Sequence, residues 1–311
     1  MINRLFHAAA WIINRLPRLW ALALGRLLGA GLYLVMPYRK DVAWNNLSLA
    51  LPERSRRQRW AILHRTYQHF GMMLTDFIRM PNLTTHTLGA MIDFDESYIQ
   101  EVRDQGSGAV VISGHIGNWE LFVPALGLRG YPITPVMVTQ RGAGGSFVTE
   151  VRDNTSHQYI SKKTSTRIML QRLKAGTFLL LAGDQDARKR GVWVTLLGQP
   201  SSRPRGGAVF ALKASAPLLV GCCLLKKDRR YRLSLRPIST ADLPQNRDQA
   251  IQILTQRYTD ALGEAIQKHP EQYFWFHRMW KSHPEPAEGT SPEPAEGTRP
   301  TQHRRTRPAR Q

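Results

Sequence analysis

Gly114-His115-Ile116-Gly117-Asn118-Trp119-Glu120 sets an imidazole and a carboxylate five positions apart. A carboxylate bonded to one ring nitrogen fixes the tautomer and stabilises the imidazolium, so the other nitrogen can take a proton from a hydroxyl. Such a base-plus-orienter pair has no protein nucleophile and suits transfer of a group onto a substrate's own oxygen. On one continuous helix the two side chains would diverge by roughly 140°, so the pair needs a strand-to-helix turn. The preceding residues 109–113 are apolar, β-branched and end in small residues, which predicts a buried strand. Asn118 suits a helix N-cap, and Trp119-Glu120-Leu121-Phe122 opens an apolar helical pattern. His115 is thus expected at a strand end and Glu120 in the first turn of the next helix, where open α/β sheets hold their sites. The plainer alternative is a satisfied structural histidine and a glutamate that only complements a helix dipole.

The elements that position such a pair need a core, and 311 residues with 42% hydrophobic content supply one. The two cysteines, Cys222 and Cys223, are adjacent in an apolar run, which excludes a disulfide framework and suits a reducing compartment. No Cys/His cluster has zinc-ligand spacing and no GxxxxGK[ST] loop occurs, so neither a metal site nor a nucleotide-phosphate loop is expected. Forty-three basic against 23 acidic residues give a formal charge of +20. That excess implies anionic partners, and it is spread over Arg54, Arg56, Arg57 and Arg59; Lys162, Lys163 and Arg167; Arg188, Lys189 and Arg190; and Lys226, Lys227, Arg229 and Arg230.

Along the chain, residues 1–38 read as N-terminal hydrophobic helices associated with a membrane. The run after Trp20 is short for a span and carries Arg26 in its middle. Helices lying in or dipping into one leaflet are expected, with a single span as the alternative. After Pro52, Trp60, Leu63, Tyr67, Phe70, Leu74 and Phe77 form one apolar helical stripe, expected to pack in the core, that Pro81 ends. Strand-like runs follow at 108–113, 133–139, 177–182, 191–197, 216–225 and 231–237, alternating with helical patterns near 119–128, 146–155, 164–175 and 204–214; a further helix covers about 247–268. The fold expected is α/β: a largely parallel mixed sheet flanked by helices on both faces. Residues 39–281 form that domain, and 282–311, with two near copies of Pro-Glu-Pro-Ala-Glu-Gly-Thr and an Arg-rich end, read as a disordered tail.

Several blocks in order resemble the bacterial lipid A biosynthesis acyltransferases of the lauroyl/myristoyl type, within the lysophospholipid acyltransferase superfamily. They are Arg39-Lys40-Asp41-Val42-Ala43-Trp44-Asn45-Asn46-Leu47, the His115/Glu120 block, Gly183-Asp184-Gln185-Asp186, Leu196-Leu197-Gly198-Gln199-Pro200 with Gly206-Gly207-Ala208, and residues 269–281 ending His277-Arg278-Met279-Trp280-Lys281. Met279 stands where an arginine is usual, Leu196-Leu197 replace Phe-Phe, and Ala187-Arg188-Lys189-Arg190 are more basic than the pattern.

The resemblance implies an O-acyltransferase at the cytoplasmic face of the bacterial inner membrane. It would move a fatty acyl chain from acyl carrier protein to a hydroxyl of a lipid A precursor or related anionic glycolipid, with no cofactor and no nucleic acid. By the match His115 is the general base and Glu120 holds it. Arg152 would bind a phosphate or the developing oxyanion, and Asp184 and Asp186 would position Arg152 or substrate; Asn118 is expected to cap. Backbone amides near Asn118-Trp119 are further candidates for the oxyanion. Two rivals stand beside this. A lysophosphatidate-type enzyme is disfavoured by Gly114 before His115 and Glu120 after the gap. A non-catalytic basic membrane- or nucleic-acid-binding protein would explain the charge but not the ordered blocks.

Overall fold

The computed structural model describes residues 2–35, 39–137, 142–155, 159–161 and 164–282. Its elements run α1 (Ile2–Arg15), α2 (Arg18–Val35), α3 (Lys40–Ala50), α4 (Arg56–Arg79), α5 (Thr85–Met91), β1 (Ile92–Phe94), α6 (Ser97–Asp104), β2 (Val110–Gly117), α7 (Phe122–Gly127), β3 (Ile133–Met137) and α8 (Ala143–Asp153). They continue with β4 (Ile160–Ser161), α9 (Thr166–Lys174), β5 (Phe178–Ala182), β6 (Val192–Leu196), β7 (Gln199–Arg203), α10 (Gly206–Ala214), β8 (Leu218–Leu225), β9 (Tyr231–Ile238) and α11 (Arg247–Lys268). The expectations for Lys162, Lys163 and the tail beyond Ser282 lie outside the described residues.

Seven strands form one sheet in the order β1-β9-β8-β2-β5-β3-β4. Every neighbouring pair is parallel except β8 with β9, so the expected mixed, largely parallel sheet is present. The antiparallel pair follows from its connection: residues 226–230 make a tight turn, far too short for a crossover. Alternation along the strands feeds two cores. Val110 and Ile112 of β2, with Leu218 and Val220 of β8, pack under α9, α10 and α11. Val111 and Leu219 point the other way, toward α5, α6, α7 and α8. The 191–197 run departs from the expectation, since β6 pairs antiparallel with β7 in a separate two-stranded ribbon.

The long helix α4 starts where Ser55 and Gln58 make a reciprocal capping box and stops at Met80-Pro81. Leu63, Tyr67 and Phe77 are buried as the stripe predicts, but Leu74 is 53% exposed. It falls outside the arc that α2 covers. There the two backbones nearly touch: a Cβ on Gly71 would sit 1.9 Å from the Gly25 carbonyl oxygen, and one on Gly25 2.4 Å from that of Gly71. This contact seats the N-terminal helix on the domain. The opposite side of the α1–α2 pair carries Trp11, Leu19, Trp20, Leu27 and Leu34 exposed. Helix α2 is long and apolar enough to cross a bilayer by length and composition.

Candidate active site

Strand β2 is longer than expected. It runs past Ser113 through an irregularity in register and rejoins β8 at Gly117–Cys223. Gly117 makes this possible, with φ +63° and a position where a Cβ would lie 2.0 Å from the Cys223 carbonyl oxygen. His115 thus stands on the bulged end of β2, beside the end of β5, whose next residues are Gly183 and Asp184. Trp119, Glu120 and Leu121 form a single 3-10 turn ahead of α7, so the helical pattern begins later than read.

The sequence reading is corrected at the histidine's partner. His115 Nδ1 bonds Asp184 Oδ1 at 2.9 Å, the His115 backbone N–H donates to Asp184 Oδ2 at 2.7 Å, and the Tyr273 hydroxyl donates to the same oxygen at 3.1 Å. Glu120 is engaged elsewhere: Arg152 Nε donates to its Oε2 at 3.0 Å, Arg152 Nη2 to its Oε1 at 2.5 Å, and Trp119 Nε1 to Oε1 at 2.9 Å. The bidentate geometry of guanidinium on carboxylate explains the preference. Arg152, on α8, is therefore held by Glu120 and not by Asp184 or Asp186. Asp186 makes no bond to the histidine among the described residues and fastens chain, accepting from the backbone N–H of Arg188 and from both the N–H and hydroxyl of Ser282. Asn118 does not cap; its Nδ2 donates to the Tyr231 hydroxyl at 3.3 Å. Its backbone N–H is spent on the Cys223 carbonyl at 2.8 Å, which removes that amide as an oxyanion donor.

Four further residues, to which sequence reasoning gave no role at the site, complete the surroundings. Phe274 donates its backbone N–H to the His115 carbonyl at 2.8 Å, drawing the C-terminal aromatic run across the turn. His277 then packs edge-on against His115, ring centroids 4.6 Å apart, with its Nε2 buried and unbonded. Asn46 of α3 holds this run by donating to the carbonyls of Trp275 and His277. Two of the blocks that carried the resemblance thus meet at the histidine. The fourth, Arg203 at the end of β7, is fully buried and donates from Nη1 to the Asp184 carbonyl.

These contacts set the protonation pattern. Burial pulls the His115 pKa down, but the Asp184 carboxylate outweighs it, and the net direction is up. Asp184 is itself pushed up by burial and held down more strongly by His115, so it stays ionised. Burial and the neighbouring His115 charge push His277 down to about 4, so it is neutral near pH 7. In the neutral ring, an Nδ1–H given to Asp184 leaves Nε2 unprotonated. The imidazole, 18% exposed at its side chain, lines a cleft with Trp119, Glu120, Arg152, Val136 and Leu181. An aliphatic wall, a base and one guanidinium thus share a single cleft. Among the described residues no group of three or more His, Cys, Asp or Glu is placed to hold a metal ion.

The family described as bacterial lipid A biosynthesis acyltransferase matches residues 1–282. A lipid A biosynthesis palmitoleoyltransferase of Escherichia coli is 23% identical over 281 residues, covering 88% of this chain and 89% of that protein. A phosphatidylinositol mannoside acyltransferase of Mycolicibacterium smegmatis is 25% identical over 157 residues, 48% of this chain and 51% of that one. The crystal structure of a 1-acyl-sn-glycerophosphate (LPA) acyltransferase from Thermotoga maritima aligns with 79% of this chain and 94% of its own at 12% identity, with a TM-score of 0.35.

Proposed function

This chain belongs to the bacterial lipid A biosynthesis acyltransferase family, and from that premise we propose that it moves a fatty acyl chain from acyl carrier protein to a hydroxyl of a lipid A precursor. The observation that carries the reading is the His115 Nδ1–Asp184 bond, which leaves Nε2 as a proton acceptor at the sheet's carboxyl end. Nε2 takes the acceptor hydroxyl's proton as that oxygen attacks the thioester carbonyl. The tetrahedral intermediate then collapses, the carbon–sulfur bond breaks, and the imidazolium returns the proton to the departing thiolate. Asp184 steadies the charge that His115 carries between the two steps. The thioester is already activated, so the chemistry needs no metal or nucleotide.

Arg152, fixed by Glu120, offers its charge to a substrate phosphate or to the developing oxyanion. His277 acts as a positioning residue by walling one side of the His115 ring. The exposed Trp and Leu side chains of α1 and α2 are suited to the interface of the inner membrane's cytoplasmic leaflet, each worth about 1.5–3 kcal/mol when it leaves water. A charge of +20 favours the anionic bilayer surface, an acidic carrier protein and a phosphorylated glycolipid. The partial likeness to a phosphatidylinositol mannoside acyltransferase supports a second acceptor class, another glycolipid.

The test is acyl transfer by the purified full chain, with acyl carrier protein thioester as donor. Lipid A precursor, a phosphatidylinositol mannoside and lysophosphatidate are offered separately as acceptors. A mass gain of one acyl chain on the lipid A precursor is expected. Acylation of the mannoside alone moves the acceptor to the second class, and acylation of lysophosphatidate alone, or of none, overturns the reading.

A further inference from the structure

A second groove lies on a different side of α4 from the histidine site. Gln68 and Met72 line it, whereas Phe70, which packs against Trp119, faces roughly the opposite way around the helix. The remaining walls are Leu19, Leu22, Ala23, Leu27 and Ala30 of α2, together with Arg26 and Arg229. It encloses about 390 Å³ and shares no lining residue with the His115 cleft. Leu19 and Leu27 are 64% and 69% exposed, so the groove opens along the apolar side of α2.

The charges in this groove are uncompensated. Arg26 interrupts an otherwise apolar helix and has no ion pair or hydrogen bond among the described residues, and no acidic residue lines the groove. Arg229 sits at the β8–β9 turn in the left-handed region, φ 66°. Its carbonyl is tied down by Arg18 Nη1 at 2.6 Å, and among the described residues its guanidinium hydrogen-bonds only the Met72 sulfur, at 3.3 Å. The nearby acids are taken: Asp76 by Arg18, and Asp228 by Lys226. Two guanidinium groups beside an alkyl-lined channel match an amphiphile with a phosphate at one end and a hydrocarbon chain at the other.

We propose that this groove binds one anionic phospholipid of the bilayer, its phosphate shared by Arg26 and Arg229 and one acyl chain lying along Leu19, Ala23 and Leu27. The site would fix the depth and rotation of the domain at the membrane. The proposal rests on the membrane-surface placement given above but not on acyl transfer, because binding is read without donor or acceptor.

The experiment measures flotation of the full chain with vesicles of phosphatidylcholine alone and with added phosphatidylglycerol. Arg26→Gln, Arg229→Gln, the double variant and Arg257→Gln on α11 are compared at equal thermal stability, with Arg26→Lys and Arg229→Lys as charge-keeping controls. A diffuse basic face loses about fivefold in affinity per removed charge, and the losses multiply. A shared phosphate instead gives a tenfold or larger loss for either single Gln variant and little more for the double, with Arg257→Gln near wild type. Multiplying losses, or equal binding to both vesicle types, overturns the proposal. So does full competition by soluble glycerophosphate, which would identify a headgroup site without a chain.

Discussion

Replacing Asp184 by Asn changes one atom and inverts the hydrogen-bond logic of the site. The Asp184 carboxylate accepts from three donors: at Oδ2 from the His115 N–H at 2.7 Å and the Tyr273 hydroxyl at 3.1 Å, and from His115 Nδ1 chiefly at Oδ1, 2.9 Å away, with Oδ2 at 3.2 Å. An asparagine that keeps its oxygen toward the first two presents its NH₂ to Nδ1. Two donors cannot face each other at that distance, so the imidazole moves its proton to Nε2 and can no longer accept one from the substrate. Loss of a general base through the wrong tautomer lowers kcat by about 10³- to 10⁴-fold, or about 4–5.5 kcal/mol at 1.36 kcal/mol per tenfold. The pH profile moves as well. In the wild type Asp184 holds the His115 pKa above its ordinary 6.5, so activity rises with pH through a limb above that value. In the variant the limb shifts to lower pH. Acyl transfer from carrier-bound donor to glycolipid, followed by mass spectrometry from pH 5 to 9, reads both quantities. The reasoning is refuted if Asp184→Asn stays within tenfold of wild type with the same acid limb.

Other perturbations report on the supporting parts. Glu120→Gln strands the part-buried Arg152 guanidinium and is expected to cost about 1–3 kcal/mol of stability; a double-mutant cycle with Arg152→Gln, read by chemical denaturation, should recover most of it. His277→Ala should lower kcat about tenfold with little change in KM, and His277→Phe should restore most of the loss; equal defects in the two variants would show that the ring nitrogen, not the packing, matters. Gly117→Ala forces a left-handed φ and a clash with the Cys223 carbonyl, and is expected to destabilise by about 2 kcal/mol or more in a thermal melt. Burial holds the His69 pKa at about 4, below its ordinary 6.5, while its Nε2–H donates to the Gly117 carbonyl. The stability held by this neutral ring is complete above pH 6.5 and is lost as pH falls toward 4, by about 3 kcal/mol at 1.36 kcal/mol per unit. Urea titrations at pH 7 and 4.5 check it, and a His69→Asn variant should show a flatter acid dependence.

Local pattern made the sheet and most helices legible, because strands such as β2, β5 and β8 are short apolar runs and α4 and α11 have long amphipathic periods. What escaped was short or polar. Strand β7 reads Gln-Pro-Ser-Ser-Arg, β1 has three residues, and α5 and α6 are seven- and eight-residue helices. The antiparallel β9 was readable in principle, from the five charge-rich residues that separate it from β8. The site divided in the same way. His115 and Asp184 were both visible at the ends of apolar runs, but their pairing depends on β5 lying beside β2 across 69 residues. Spacing favoured Glu120 as the nearer carboxylate, and only tertiary structure shows Arg152 claiming it. Tyr273 and His277 lie in the 269–281 block, which carried the resemblance but no site role, and the bond from Phe274 to His115 is what brings that run over the site.

The most direct measurement is single-turnover acyl transfer by His115→Ala beside the wild type, with the same carrier-bound donor, glycolipid acceptor and membrane mimetic. The expected result is a rate at least about 10³-fold lower, with folding and vesicle binding retained. A variant that transfers acyl chains within a few-fold of the wild-type rate would show that the imidazole at the end of β2 is not the base.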